Sequence, residues 1–335
     1  MITRKDVADR AKVSISVVTR VMNRSGYVSQ LKQEAVLKAA KELGYHPSPV
    51  ARSLKSGRTR QILFFRGGLS GLYYQELYQG IIDYAQQFGY VVFSSRTLPV
   101  EQMGNMMMDG IILPVEVCYQ KEYRQLANQF KLPVVILSYG EKLPDKVYRV
   151  DVDTGKGMEE ILGLLWSKGH RKIAYAGYNI EDPRGANFLA FMQKSIKKRL
   201  DDYVLLPPDQ TILREHNAFY RIGAECADLF VQRQLDASAV ACFNDDVAIG
   251  FCHRITRLGL RVPEDVSVTG FDNTIIGEYL RPALTSFSLN TYEHGGEAAH
   301  MMIDLLEGKK SPRKRSLETR LIERESIAPI GGRRR

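Results

Sequence analysis

The sequence predicts a small all-α unit at the N-terminus, followed by an α/β body of two lobes, each a doubly wound parallel sheet. Three observations carry this. Residues 3–43 hold three short amphipathic helical patterns. Residues 46–60 are rich in Pro, Ser, Gly and Arg, a composition that separates units. From residue 61 on, short apolar runs alternate with helical patterns, as expected of parallel strands covered by helices on both faces.

Thr3 is placed to cap a first helix, with Asp6 three residues on as the return carboxylate. Val7, Ala8 and Ala11 give that helix an apolar face. Val13-Ser14 breaks the pattern, and Ser14 can cap a second helix running to about Asn23. Val18, Val21 and Met22 would face inward on it. Ile15, Ser16, Thr19, Arg20 and Asn23 would face out, a small and polar surface that suits a reader of the DNA major groove. Tyr27-Val28-Ser29 leads into a third helix with Val36, Leu37, Ala40 and Leu43 inward and Lys38 and Lys41 outward. Gly44 followed by Pro47 ends it. Two helices joined by a tight turn are also found as ordinary helical hairpins, so the charge distribution matters.

Residues 1–60 hold thirteen Lys and Arg against four acids, a net of +9. The whole 335-residue chain is also +9, so residues 61–335 balance at 34 basic to 34 acidic. The excess charge belongs to the N-terminal unit, the footprint of nucleic-acid binding. An apolar content of 44% is enough for sizeable cores. No apolar run approaches ~20 residues, so no membrane span is predicted. With no apolar signal region at the start, the protein is expected in the cytoplasm. Cys118, Cys226, Cys242 and Cys252 lack metal-ligand spacing and are expected as buried free thiols.

In residues 47–60, Ser48 and Pro49 suit the start of a short helix and Gly57 its end. In the body, strands are predicted at 62–65, 90–94, 110–113, 134–138, 171–176, 239–243 and 266–271. Helices are predicted near 74–88, 119–130, 156–168, 187–199, 218–233, 246–258 and 291–307. That many units in one body fit two lobes better than one.

The N-terminal run resembles the DNA-binding headpiece and hinge of the lactose-repressor (LacI/GalR) family. The residues that carry this are Lys5-Asp6-Val7-Ala8, Val13-Ser14, Arg20-Val21 with Asn23, Gly26-Tyr27-Val28-Ser29, Glu42-Leu43-Gly44-Tyr45 with Pro47, and Val50-Ala51-Arg52-Ser53-Leu54. Later blocks agree: Gly169-His170-Arg171-Lys172-Ile173-Ala174, Phe243-Asn244-Asp245, Val262-Pro263-Glu264-Asp265-Val266-Ser267-Val268 with Gly270-Phe271-Asp272, and Pro282-Ala283-Leu284-Thr285-Ser286. The resemblance implies a helix-turn-helix headpiece over 1–46, a hinge helix and linker over 47–60, and a periplasmic-binding-protein-like body over 61–330. Within that body, lobe 1 is expected at about 61–155 and 289–319, and lobe 2 at about 156–288 and 320–330. Three crossovers near 151–160, 284–290 and 317–322 would join them.

For function, the resemblance implies a homodimeric transcriptional repressor on a pseudo-palindromic operator, controlled by a small-molecule effector in the cleft between lobes. Ile15, Ser16 and Arg20 are the expected base readers. Thr3, Ser14, Thr19, Asn23 and Ser29 are the expected phosphate contacts. At Lys32-Gln33, where Thr-Arg is common, this chain departs from the family. In the hinge, Leu54 would wedge into the minor groove, flanked by Ala51, Arg52 and Lys55.

Ligands of open α/β sheets sit beyond the carboxyl ends of strands. Candidate effector residues are therefore Tyr73, Tyr74, Asn244, Asp245 and Asp272; the resemblance implies an effector-facing position for Asp153 as well, and Phe219 is a further candidate. Carboxylates and amides can bind vicinal hydroxyls, and aromatic faces can cover a sugar or a base. Asp153 and Asp245 can equally cap helices, and Tyr74 can pack beneath its own. Many family members carry a ligand-gripping arginine three residues before a Gly-aromatic pair. Here that pair is Ala190-Phe191, so Asn187 takes the arginine position, and Arg184 lies one turn earlier as a possible substitute. The spacing from Gly89-Tyr90 to Asp109-Gly110 is short by about ten residues relative to the family, so the helix there is expected to be shortened or missing. Met103, Met106, Met107 and Met108 would then form a contact surface or a buried turn.

Arg66-Gly67-Gly68-Leu69-Ser70-Gly71 does not match a dinucleotide fingerprint, and no nucleophile elbow, Walker sequence or zinc-protease motif occurs. An enzyme, a cofactor and a metal are therefore not expected. Two alternatives to a sugar-responsive regulator are the same class with a purine or nucleoside effector, and a small-molecule-binding protein with no DNA role.

Overall fold

The computed structural model describes residues 2–23, 25–45, 58–67, 71–96, 108–118, 132–195, 200–209 and 217–330. The chain divides into two compact units, Met1–Arg60 and Gln61–Arg335.

The first unit holds α1 (Arg4–Ala11), α2 (Ile15–Asn23) and α3 (Gln30–Leu43). Thr3 and Asp6 form a reciprocal capping box: Thr3 N–H donates to Asp6 Oδ2 at 2.7 Å, and Asp6 N–H to Thr3 Oγ1 at 3.4 Å. Lys12, in the left-handed region at φ 52°, makes the tight turn. Ser14 Oγ accepts from Val17 N–H and starts α2. Gly44 at φ 62° lets Tyr45 N–H return to the Ala40 carbonyl and close α3. Val7, Ala8, Val18, Val36, Ala39 and Ala40 are the buried core. Leu37 is not part of it; the side chain is 56% exposed. Val36, Ala39, Ala40 and Leu43 lie within about 100° of arc on a 3.6-residue helix, and Leu37 falls outside that stripe.

The second unit carries two six-stranded sheets. The first contains β1 (Gln61–Phe65), β2 (Val91–Ser95), β3 (Gly110–Pro114), β4 (Val134–Ser138), β5 (Tyr148–Asp151) and β11 (Lys314–Ser316), in the order β11-β5-β4-β3-β1-β2. The second contains β6 (Ile173–Ala176), β7 (Val204–Leu205), β8 (Ala239–Cys242), β9 (Ser267–Asp272), β10 (Thr285–Ser288) and β12 (Arg320–Ile322), in the order β12-β10-β9-β8-β6-β7. All pairs are parallel except β10–β12. Central strands such as β3, β8 and β9 are buried along their whole length, as both-face coverage requires.

The helices are α4 (Leu72–Gln87), α5 (Val115–Cys118), α6 (Thr154–Ser167), α7 (Pro183–Ser195), α8 (Ala218–Gln232), α9 (Asp245–Arg257), α10 (Ile275–Tyr279) and α11 (Thr291–Leu306). The chain changes sheet three times: after β5, after β10, and between β11 and β12. The pairs α4–α11 and α8–α9 touch backbone to backbone. A Cβ at Gly80 would fall on the Tyr292 carbonyl, and one at Gly250 on the Tyr220 carbonyl.

β4 has the predicted bounds. β5, β7, β10, β11 and β12 were not anticipated. They are two to four residues long, and β5, β11 and β12 carry Arg or Lys where an apolar run would have marked a strand. The helix predicted near 119–130, residues 47–57 of the hinge expected over 47–60, and Met103, Met106 and Met107 lie outside the described residues; Met108 is buried. Cys118 lies in α5. Cys226 and Cys242 are buried and Cys252 half-buried, all three as free thiols. No described helix is long and apolar enough to cross a membrane.

Candidate functional site

On the first unit, α2 turns one face outward. Ile15 is 49% exposed, Ser16 and Arg20 are exposed, and Thr19 is half-buried. Ser14 and Ser16 hydroxyls bond each other at 2.8 Å. Ser29 occupies the N-cap position of α3, but its hydroxyl makes no capping bond and stays exposed. Thr3 is committed to its capping box, so only a hydroxyl lone pair remains for another partner. Asn23 ends α2. Ala51, Arg52, Leu54 and Lys55 lie outside the described residues.

In the second unit, each sheet reverses its strand order once. The reversal lies between β1 and β3 in the first sheet and between β6 and β8 in the second. Loops leave in opposite directions at such points and open a crevice beyond the strand ends. A single cleft is lined from both sheets. The first contributes Tyr73 and Tyr74 beyond β1, Glu116 beyond β3, and Tyr139 beyond β4. The second contributes Tyr178 and Arg184 beyond β6, Phe243, Asn244 and Asp246 beyond β8, Asp272 at the end of β9, and Phe219 from α8. Leu289, on the second crossover, completes the lining. The space enclosed, open solvent included, is about 510 Å³.

Arg184 is held tightly. Its Nε donates to Asp182 Oδ2 at 3.0 Å and Nη1 to the Phe243 carbonyl at 3.2 Å, while the guanidinium lies 3.6 Å from the Phe243 ring centroid. Burial alone would lower its pKa, but Asp182 and neighbouring groups raise it, so the side chain remains charged. Tyr178, Phe219 and Phe243 form an aromatic cluster, with Tyr178 4.7 Å from Phe243 and 5.6 Å from Phe219.

Asp272 has φ 104° and Asn273 φ 56°, strained values for non-glycine residues that mark a shaped site. Burial, then the charge of Asp245, holds the Asp272 carboxyl well above the usual range, with Arg184 opposing. On the first wall, Tyr73 and Tyr74 meet edge to face at 5.1 Å. The Oε2 of Glu116, and Asp246 Oδ1 on the second wall, are buried without a hydrogen-bond partner among the described residues, and the buried hydroxyls of Tyr73 and Tyr139 face each other. Burial raises Glu116 to about 7.

Of the expected effector residues, Tyr73, Tyr74, Arg184, Phe219, Asn244 and Asp272 meet in this cleft; Asp153, Asn187 and Asp245 do not line it. Asp153 is exposed and caps α6, accepting from Lys156 N–H at 2.9 Å. Asn187 Nδ2 donates to the Pro183 carbonyl one turn back and packs against Gly155, in the seam between α6 and α7. Asp245 is fully buried beneath the cleft. It accepts from Thr274 N–H at 2.6 Å, Thr274 Oγ1 at 2.9 Å and Ser286 Oγ at 2.6 Å, and so braces the loop that carries Asp272. Asn244 both caps α9, through Val247 N–H at 2.9 Å, and faces the cleft. Glu116, Tyr139, Tyr178, Phe243 and Asp246 were missed. Glu116 and Tyr139 directly follow strands predicted from sequence, so the strand-end rule applied to every strand would have found them. Among the described residues, no cluster of His, Cys, Asp and Glu is arranged to hold a metal ion.

A helical DNA-reading unit joined to a two-lobed body with a ligand cleft defines a ligand-responsive transcriptional regulator. The matches to known proteins fit this class. Residues 3–48 match the bacterial regulatory proteins of the lacI family, and residues 162–327 the periplasmic binding protein-like domain. The HTH-type transcriptional regulator RegA of Clostridium saccharobutylicum is 31% identical over 336 residues, covering 96% of this chain and 98% of RegA. The HTH-type transcriptional repressor PurR of Escherichia coli O139:H28 is 29% identical over 340 residues, covering 98% and 97%. A solved complex of the transcriptional regulator CelR with cellobiose superposes with a TM-score of 0.67 at 26% identity, over 97% of this chain and all of that one. This chain belongs to the lacI family of transcriptional regulators.

Proposed function

We propose that this regulator is a repressor that binds a pseudo-palindromic operator as a homodimer, and that a sugar or sugar derivative in the cleft controls its affinity. The observation that carries the effector reading is the cleft itself, two facing switch points walled by aromatic rings and hydrogen-bonding groups. Rings cover apolar sugar faces, while Asp272, Asn244 and Arg184 suit vicinal hydroxyls. CelR in complex with cellobiose supports a sugar, and the repressor PurR supports repression. We take lobe 1 as about 61–155 with 289–319 and lobe 2 as about 156–288 with 320–330, a division that the strand orders favour. Effector binding acts by favouring one lobe arrangement over the other.

On DNA, Ile15, Ser16 and Arg20 read bases, while Thr3, Ser14, Thr19, Asn23 and Ser29 set register on phosphates. Ala51, Arg52, Leu54 and Lys55 act in the hinge. The charge concentrated in residues 1–60 supports this reading. Ile275 at 58% and Tyr279 at 76% exposure on α10 form an apolar surface suited to a second copy. A nucleoside effector is a second reading, favoured by the aromatic cluster of Tyr178, Phe219 and Phe243.

The test is a thermal-shift screen of the full chain against sugars and nucleosides, followed by operator titration with any hit. A ligand at ~100 times its Kd should add about 2.7 kcal/mol of stability. Absence of any shift would sink the effector reading. Leu54→Ala is expected to weaken operator binding far more than nonspecific binding; equal losses would remove the wedge.

A further inference from the structure

We propose that the cleft takes only ligands without an acidic group, hydroxyl-rich or amine-bearing, and that Glu116 is a residue that turns phosphorylated and carboxylated ones away. The inference rests on the effector reading above and narrows it.

Among the described residues three carboxyl groups line the cleft: Glu116 from the first wall, and Asp246 and Asp272 from the second. The lining holds, among the described residues, one cation, Arg184, and its Nε is already bonded to Asp182 at 3.0 Å. No lysine or histidine among the described residues lines the space. The free hydrogen-bonding capacity has the same bias. Glu116 Oε2 and Asp246 Oδ1 are buried and have no partner among the described residues, and both oxygens can only accept while ionised. Leaving them so is costly, and a ligand that donates relieves the cost. A sugar hydroxyl or an ammonium group donates. A phosphate dianion or a carboxylate offers acceptors alone and adds like charge in a site sheltered from water.

Glu116 is singled out by position. It sits on α5, directly beyond β3 at the switch point, and is the acid that the first wall brings to the lining. A ligand held against the second wall by Arg184, Asn244 and Asp272 would turn its remaining groups toward Glu116.

The experiment uses the full chain at pH 8, where carboxyl groups of a ligand are ionised. Kd values are measured by calorimetry for matched sets: glucose, glucosamine, glucose 6-phosphate and glucuronate; ribose and ribose 5-phosphate; adenosine and AMP; and cellobiose. The expected result is that at least one neutral or amine-bearing member binds and its acidic partner binds at least 100-fold more weakly. In Glu116→Gln that gap narrows at least tenfold. Should this variant not fold, Asp246→Asn serves the same measurement. An acidic member that binds as tightly as its neutral partner overturns the proposal while leaving the effector reading intact. A gap unchanged in the variant overturns the part given to Glu116. Silence across all sets removes the effector reading and this proposal with it.

Discussion

The two walls of the cleft are built differently. The second is assembled before any ligand arrives. Arg184 is tied to Asp182 and to the Phe243 carbonyl, Asn244 caps α9, and Asp272 rides on a loop braced by Asp245. The first wall ends in looser chemistry: one oxygen of Glu116 finds no partner among the described residues, and the buried hydroxyls of Tyr73 and Tyr139 have at most each other. Groups already satisfied give a fixed template, whereas unsatisfied ones gain most when a ligand is present. The contrast fits recognition by the second wall and closure by the first, with ligand and lobe arrangement linked through contacts that Glu116 on the first wall and Asp246 on the second still have to make.

The largest test of that contrast is Asp245→Ala. It strips three hydrogen bonds from a buried carboxylate and leaves the Thr274 N–H and the hydroxyl protons of Thr274 and Ser286 without their acceptor. A loss of about 3 kcal/mol is expected in urea unfolding. A loss under about 1 kcal/mol would mean that the second wall is not braced as described.

Asp272→Ala removes a group that faces the ligand. The expectation is a loss of affinity on the order of 100-fold, about 2.7 kcal/mol, in titrations of any ligand found, with operator binding by the free protein unchanged. A normal response would place the ligand elsewhere.

Glu116→Gln is read through pH. Burial holds Glu116 at about 7 against an ordinary 4.5. Between those values the folded chain keeps a proton that the unfolded chain has released, so this group's contribution to stability falls as pH rises from 4.5 to 7. The variant should therefore gain on the wild-type protein across that window, by about 1–2 kcal/mol at pH 8 once solvent screening of a half-buried group is allowed for. Measuring the difference between the two proteins matters, because buried His294, lowered to about 4, acts in the opposite direction between pH 4 and 6.5 in both. A pH-independent difference would sink this account of Glu116.

The smallest effect is expected for Tyr139→Phe. Its hydroxyl is buried with at most the Tyr73 hydroxyl as partner, so removal should leave the melting temperature of the free protein little changed. Ligand affinity should fall about tenfold, the worth of one hydrogen bond. A destabilised free protein would show that the first wall is not waiting for a partner.

Much of this arrangement is legible in the chain. Apolar runs marked the central strands, and β4 has its predicted bounds because Val134–Leu137 is flanked by polar and turn residues. Thr3 with Asp6 and Gly44 announced the ends of α1 and α3. The outer strands escaped notice because a short strand at a sheet edge needs no apolar run; Lys314-Arg315-Ser316 is one by virtue of its neighbour β5. In the cleft, residue type alone does not decide which side chains line it. Asp153, Asp245 and Asn187 have the chemistry of ligand-binding groups, but local backbone and helix packing claim them first. Which of two identical demands an aspartate meets depends on where its side chain points, and that is set by tertiary structure.

The N-terminal unit buries its own core around Val7, Val18 and Val36, and the body buries another that shares no residue with it. Changes that alter which DNA sequence is read therefore fall on one core, and changes that alter which molecule is sensed fall on the other. Over evolutionary time such a gene can exchange one half by recombination while the other keeps folding. Descendants that answer the same compound at unrelated promoters, or different compounds at the same promoter, are then only one crossover apart.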